Sequence, residues 1–520
     1  MNRRQFLNLS AGAAFAPLVC SAASKRPNII VMMADDMGFS DIGCYGGEVQ
    51  TPNLNRLAES GIRFTQFYNS ARCCPTRASL LTGIDNHQAG VGDMVNPKGT
   101  PAYQGYLNQQ CVTIAEAIRP AGYHALMSGK WHVGENRPHW PTDRGFEHYF
   151  GLISGASNYW RLEPPRQMAL DDKPYTPSGK FYMTDAIAGH AIEMMREYGG
   201  KPDPYFMYVA FTSPHWPLHA WPEDIAKYRG KYQKGWDKLR EERYARQLRM
   251  KLIDPKWPLS PRDPDVPSWD SIKNKDDFDL RMAVYAAQID RMDQNIGRIL
   301  AELKRAGQEE NTLVLFLSDN GGCHEENIKG EKKDVPPGPA DSFTSYGRPW
   351  ANASNTPFRM FKHWVHEGGI SSPLIAHWPA VIRNGGTLHH QPAHVTDIMA
   401  TCLDLAGGEY PKTFNGNAIT PMVGRTLRPT FEGKPRRGHD AYYWEHEGNR
   451  AVRKDQWKLV SKSPDDTWEL HDLQADRTEV HDLAASKPEK VRELRGMYQA
   501  WADSVGVIPH SRKNRTSDAE

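Results

Sequence analysis

The sequence predicts an α/β fold: a large mixed, mainly parallel sheet sandwiched by helices, with a smaller C-terminal antiparallel sheet-plus-helix domain. Three observations predict it. Four apolar runs each end abruptly in polar residues, a long helical pattern lies among them, and short strands take over after about residue 425.

The first run, "NIIVMMADDMG", reads as a buried strand ending at Asp35-Asp36. "HALMSGKWHVG" is a short strand ending at Lys130 and His132, "YFMYVAFTSPH" ends at His215, and "TLVLFLSDNGG" ends at Asp319-Asn320. Continuous apolar runs of this length suit strands covered on both faces. The clearest helix places Met282, Tyr285, Ile289, Met292, Ile296, Ile299 and Leu303 at spacings of three and four. Proline at every third position from Pro255 to Pro267 predicts an extended surface excursion, and "GEKKDVPPGPADS" predicts a further loop. "AYYWEH", "RAVRK", "QWKLV" and "TWELHDL" predict a small antiparallel sheet, and Val491, Leu494, Met497 and Trp501 mark one face of a final helix. The resulting organisation is an export signal at 1–23, a catalytic domain at 24–425 and a C-terminal α+β subdomain at 426–520.

The N-terminus carries Arg3-Arg4 before Phe6-Leu7, a weakly apolar stretch to Val19 and small residues at Ser21 to Ala23. This resembles a twin-arginine export signal and predicts a periplasmic destination, with secretion as the alternative. The stretch is too short to span a bilayer, so stable membrane insertion is not expected. Lys and Arg total 64 against 62 Asp and Glu, a balance that argues against nucleic acid or an anionic membrane as the main partner. Seven cysteines lie scattered without CxxC spacing, so each is judged alone.

In sheets of this kind, ligands bind beyond the carboxyl ends of the strands. Here four strand ends deliver Asp35, Asp36, Lys130, His132, His215, Asp319 and Asn320. Taken singly, Asp35-Asp36 or Asp319-Asn320-Gly321-Gly322 would read as a turn. Together at two strand ends they read as ligands. His87, His139, His148, His219, His377, His389, His390 and His394 are read as structural, and Trp216, Trp221 and Trp236 as packing rather than a pocket rim.

The stretch "NSARCCPTRASLLTG" sets Cys73 beside Cys74, and only Cys73 starts a Cys-x-Pro-x-Arg, with Leu81-Thr82-Gly83 following. From Cys73 to Gly83 this resembles the signature of the formylglycine-dependent sulfatases, members of the alkaline phosphatase superfamily. The resemblance continues through "GYHALMSGKWHVG", Asp35-Asp36, "SPHWP", "SDNGG", "FRMFKHWVHEGG" and the C-terminal "ELHDLQADRTEVHDLA". It covers nearly all of the chain beyond the signal and lies nearest the bacterial arylsulfatase type.

The resemblance implies that a separate formylglycine-generating enzyme oxidises Cys73 to formylglycine (3-oxoalanine), which hydrates to a geminal diol. One hydroxyl attacks the sulfate ester, and deprotonation of the other expels sulfate, splitting one hard step into two. It implies further that Asp35, Asp36, Asp319, Asn320 and the modified Cys73 hold one calcium ion in preference to magnesium. All-oxygen ligands suit such a hard ion. Arg77 would orient the diol, and Lys130 and Lys362 would grip sulfate oxygens. His132 would be the base for the second hydroxyl, and His215 the proton donor to the leaving oxygen. Cys74 is read as an inert buried residue. The expected activity is hydrolysis of an aryl or carbohydrate sulfate monoester. Two alternatives stand beside it: a phosphonate monoester or phosphodiester hydrolase of the same superfamily, and an inactive protein that binds sulfated glycans.

Overall fold

The computed structural model describes residues 26–332 and 334–509. The export signal and the C-terminal tail "SRKNRTSDAE" lie outside the described residues.

The main sheet is assembled from β1 (Asn28–Ala34), β2 (Ile62–Tyr68), β3 (His124–Gly129), β4 (His148–Leu152), β5 (Met168–Leu170), β6 (Lys173–Pro174), β7 (Tyr205–Ala210), β8 (Thr312–Ser318), β9 (Ser371–His377), β10 (Thr387–His389) and β11 (Ala393–His394). Its order is β10-β2-β9-β8-β1-β7-β3-β4-β5-β6, with β11 also paired to β2. The centre is parallel: β1 pairs β8 and β7, and β7 pairs β3, all in one direction. In register, Ala34 lies opposite Ser318 and Gly129 opposite Ala210, so four strands end along one edge. Strand β9 runs antiparallel to β8 and β2. Its amino end therefore meets that same edge and delivers the segment that carries Lys362. The mixed sheet agrees with the expected fold class, although β2 and β9 do not emerge from the apolar-run reading.

Central strands are buried on both faces because helices cover both. One apolar core takes Ile30, Met32 and Met207, the other takes Ile29, Val31 and Phe206, following the alternation of a strand. The helix Lys275–Arg305 buries Met282, Ile289, Met292, Ile296 and Ile299 on the first side. Three aspartates on the same helix, Asp279, Asp290 and Asp293, are also buried, and Asp293 accepts from the backbone N–H groups of Asn53 and Leu54. Trp236 packs edge-on against Trp269, Trp350 and Phe278, so it belongs to the core as read from the sequence.

The C-terminal sheet comprises Tyr442–His446, Asn449–Lys454, Trp457–Ser461 and Trp468–Asp472, all antiparallel, with the helix Pro488–Val505 against it. It is tied to the main sheet by buried ions. Lys458 Nζ stands 3.0 Å from Glu367 Oε1 and 2.7 Å from Glu479 Oε1, and Arg477 Nε donates to Glu367 Oε2 at 2.9 Å. Burial opposes ionisation of Glu367, but Lys458, Arg477 and Arg453 outweigh it and hold the carboxyl down to about 2.

A second tie is His87, whose Nδ1 is 3.0 Å from Asp85 Oδ1 and whose Nε2 is 2.9 Å from Glu445 Oε2. Burial disfavours its charge, yet the two carboxylates hold the imidazolium up to about 9. A raised pKa stabilises the fold fully below the unfolded value of about 6.5 and loses that contribution as pH rises through the folded value. Over that window the wild type is expected to lose on the order of 3 kcal/mol that His87→Gln never has. Calorimetry on both proteins between pH about 6 and about 10 checks this; parallel profiles would refute it.

Candidate active site

Strand β2 ends at Tyr68, and the chain turns through Asn69, whose side chain donates to Ser372 Oγ and accepts from the Ala71 N–H. The next helix, Cys73–Thr82, is buried along its whole length and closes on Gly83 in the left-handed region, φ 69°, its N–H donating to Ser79 O. Cys73 occupies the first helical position, where free N–H groups and the helix dipole favour negative charge. Arg77 lies one turn on, at the bottom of the same buried face.

Arg77 is fully buried and donates to Asp319 Oδ2 at 2.8 Å and to the carbonyl of Lys130 at 3.1 Å. Lys130 Nζ donates to Asp35 Oδ2 at 2.8 Å, and Lys362 Nζ to Asp36 Oδ2 at 3.0 Å. Three buried cations are thus set against three buried carboxylates. Asn320 Nδ2 donates to Asp36 Oδ1 at 2.7 Å, and the Asp36 N–H donates to Asp319 Oδ1 at 3.1 Å. Asp36 reaches this position with φ 67°, a left-handed turn straight off the strand. Gly321 lies so close to Gly368 O that a Cβ would stand 1.8 Å from it, which explains the glycine after Asn320.

His215 Nε2 is 3.3 Å from both Asp36 Oδ2 and Lys362 Nζ, and its Nδ1 is 2.6 Å from Trp216 O. A carbonyl only accepts, so that second contact places a proton on Nδ1. His132, at φ 56°, brings a ring nitrogen within 4.8 Å of the sulfurs of Cys73 and Cys74. Its ring fills the space above Gly155, where a Cβ would clash at 2.4 Å. The structure therefore gathers Cys73, Arg77, Lys130, His132, His215, Lys362, Asp35, Asp36, Asp319 and Asn320 along one sheet edge, each with 2% exposure or less.

The donor set can be tested against a metal. Asp35 Oδ1 and Asn320 Oδ1 are buried and lack a hydrogen-bond partner, while Asp36 and Asp319 contribute carboxylates beside them. Oxygen-only donors of this kind fit a hard divalent cation. Burial pushes the Asp35 carboxyl well up despite Lys130 beside it, and a second carboxylate, Asp319, adds to the rise. At Asp36 burial is outweighed by His215 and Lys362, and the carboxyl lies below its ordinary range. A divalent cation would favour the ionised form of both.

Several contacts around this centre were not legible as motifs. Arg72, just before Cys73, stands 3.3 Å from Glu325 Oε1, and Trp216 Nε1 donates to Glu325 Oε2 at 2.7 Å. Trp216 thus packs and anchors at once. His219 behaves as the structural histidine expected: its Nδ1 accepts from the Tyr159 N–H, and its Nε2 is 2.9 Å from Ser342 O. A surface cavity of about 930 Å³, lined by Lys251, Trp257, His390, Tyr442 and Arg453 among others, holds none of the clustered residues. The chemistry points to the buried cluster rather than to that cavity.

Comparison with known proteins agrees with this geometry. A model of the family described as "Sulfatase" matches residues 27–408, and one described as "N-sulphoglucosamine sulphohydrolase, C-terminal" matches 358–498. An uncharacterized sulfatase of Schizosaccharomyces pombe is 35% identical, with 94% of this chain and 95% of that protein aligned. An arylsulfatase of Klebsiella aerogenes is 35% identical over 80% of this chain and 94% of its own. The crystal structure of Ps i-CgsB in complex with k-i-k-neocarrahexaose superposes with a TM-score of 0.69 at 24% identity, covering 94% and 96% of the two chains. With a family match across most of its length and two relatives at this identity aligned over 80% and 94% of it, the chain belongs to the sulfatase family and is a sulfuric ester hydrolase.

Proposed function

We propose that the protein hydrolyses a sulfate monoester of an aromatic or carbohydrate alcohol, using a formylglycine made from Cys73 and one bound calcium ion. The observation that carries this reading is the placement of Cys73 at the start of a buried helix. From that helix Arg77 joins Lys130 and Lys362 against an all-oxygen donor set in which two buried oxygens lack a hydrogen-bond partner. The arylsulfatase relative and the glycan-bound neighbour support the two substrate classes named.

A hydrated formylglycine supplies two hydroxyls, one to attack sulfur and one whose deprotonation releases sulfate, while a hard cation favours the ionised hydroxyl. Asp35, Asp36, Asp319 and Asn320 would hold that cation. The residues of the chain account for the rest. Lys130 and Lys362 place fixed positive charge where the sulfate oxygens gather charge, in a site that excludes water. Arg77, gripped by Asp319, fixes the first turn of the Cys73 helix and adds charge from below. His132 lies within reach of position 73 with an unpartnered Nδ1, as suits a base that removes a hydroxyl proton. His215, beside Lys362 and Asp36, is placed to return a proton to the leaving oxygen.

The test is the mass of the proteolytic peptide containing residues 73 and 74, from a host able to install formylglycine. A thiol-to-aldehyde change at Cys73, with Cys74 still alkylatable, is expected, together with turnover of an aryl sulfate. Two intact thiols in active enzyme would overturn the proposal.

A further inference from the structure

Outside the acid-and-lysine cluster lies a second group of metal-ligating side chains. His363 follows Lys362 directly, while His446 and Glu447 form the tip of the first hairpin of the C-terminal sheet. One ligand atom from each of the three lies within 4.8 Å of the other two. His363 Nδ1 is 2.9 Å from Glu447 Oε2, and the His363 and His446 rings meet edge-on at 5.3 Å between centroids. His446 is fully buried, and neither of its ring nitrogens has a hydrogen-bond partner. A buried imidazole with both nitrogens unsatisfied is costly unless something else binds it. The backbone is held for the purpose: Asn449 Nδ2 donates to His446 O at 3.0 Å and to His363 O at 3.5 Å, joining the hairpin to the catalytic segment.

We propose that His363, His446 and Glu447 form a binding site for a divalent transition cation such as zinc, separate from the all-oxygen site. Two imidazoles and one carboxylate are the donor set of borderline cations, whereas Asp35, Asp36, Asp319 and Asn320 suit a hard one. Arg72, which is paired with Glu325, lies close enough to Glu447 to act on its charge. Because His363 adjoins Lys362 and Arg72 adjoins Cys73, the ion would sit beside the entrance to the reaction centre. There it would clamp the C-terminal hairpin to the loop that carries Lys362. The inference stands whether or not the formylglycine reading holds.

The experiment titrates cobalt(II) into the full-length protein with calcium present in saturating amount, following ligand-field absorption in the visible range. Wild type is expected to bind one equivalent with an absorption envelope of low coordination number. His446→Gln and the more exposed Glu447→Gln are each expected to weaken binding at least tenfold, and Cys74→Ala to leave it unchanged. Failure of the wild type to retain cobalt would overturn the proposal. So would binding that survives in both hairpin variants, or that disappears in Cys74→Ala.

Discussion

Replacing Cys73 with alanine is expected to lower kcat on an aryl sulfate by about 10⁵- to 10⁶-fold, the scale on which a covalent mechanism suffers when its nucleophile is removed. The neighbouring Cys74→Ala is expected to leave kcat within about threefold, at a stability cost of roughly 1 kcal/mol for one lost buried atom. The contrast is sharp because both sulfurs are fully buried and both lie within 4.8 Å of the His132 ring nitrogen. Proximity alone does not separate them. What does is position on the helix: Cys73 is the first helical residue, and Arg77 stands four residues on, one full turn along the same face. Cys74 is rotated by about 100° from that line. Kinetics and thermal melts on both variants decide the matter, the melt showing that neither has unfolded. A comparable collapse of kcat in both would mean that the pair acts together, and the single-nucleophile reading would fail.

How far the sequence reaches can be seen strand by strand. The parallel centre is legible because β1, β3, β7 and β8 are apolar on both faces and end in polar residues, which is the pattern of a strand covered twice. Strand β9, "SSPLIAH", is not legible, since it opens on two serines and a proline and is short on apolar residues. Its burial comes from Ser372 donating to Ser318 O and from Asn69 donating to Ser372, contacts with partners some 54 and 303 residues away. That strand is nevertheless what brings Lys362 to the reaction edge. In the sequence Lys362 stands out only through its motif, and its physical warrant, an ion pair to Asp36, is a tertiary fact. The same holds for His363 with Glu447 and for Glu367 with Lys458, each joining residues more than eighty positions apart. Periodicity reports which face of an element is buried, not which distant side chain it meets.

The charges of the site show why it needs both signs. Arg77, Lys130 and Lys362 would repel one another strongly in a water-free pocket without the three carboxylates between them. The carboxylates, equally, would be neutralised by burial without the cations or a metal, and the upward pull on Asp35 is the trace of that tendency. A sulfate monoester carries one negative charge, so together with one ionised nucleophile hydroxyl it would offset the two charges of an added divalent cation and preserve this balance.

Asp319→Asn follows from that balance and should be the most damaging change among the oxygen donors. It keeps the shape of the side chain and removes one negative charge, taking from Arg77 its closest ionic partner, at 2.8 Å, and leaving only Asp35, at 3.6 Å. Breaking a buried pair in this way costs about 3–5 kcal/mol in folding stability, so the melting temperature is expected to fall as well. For the reaction as proposed, the loss of one metal ligand and the loosening of Arg77 would act on the same position. A drop in kcat/KM of roughly 10³-fold or more is expected, about 4 kcal/mol of transition-state stabilisation. Two measurements separate the metal's share from the fold's. Activity of wild type should vanish on exhaustive chelation and return with calcium, while the variant should require a far higher calcium concentration for whatever rate it retains. If chelation leaves wild-type turnover intact, the hard-cation assignment fails, and Asp319 acts only as the anchor of Arg77. If the variant regains full rate at high calcium, the ion pair to Arg77 is dispensable, and the ligand role alone explains why an aspartate stands at the end of β8.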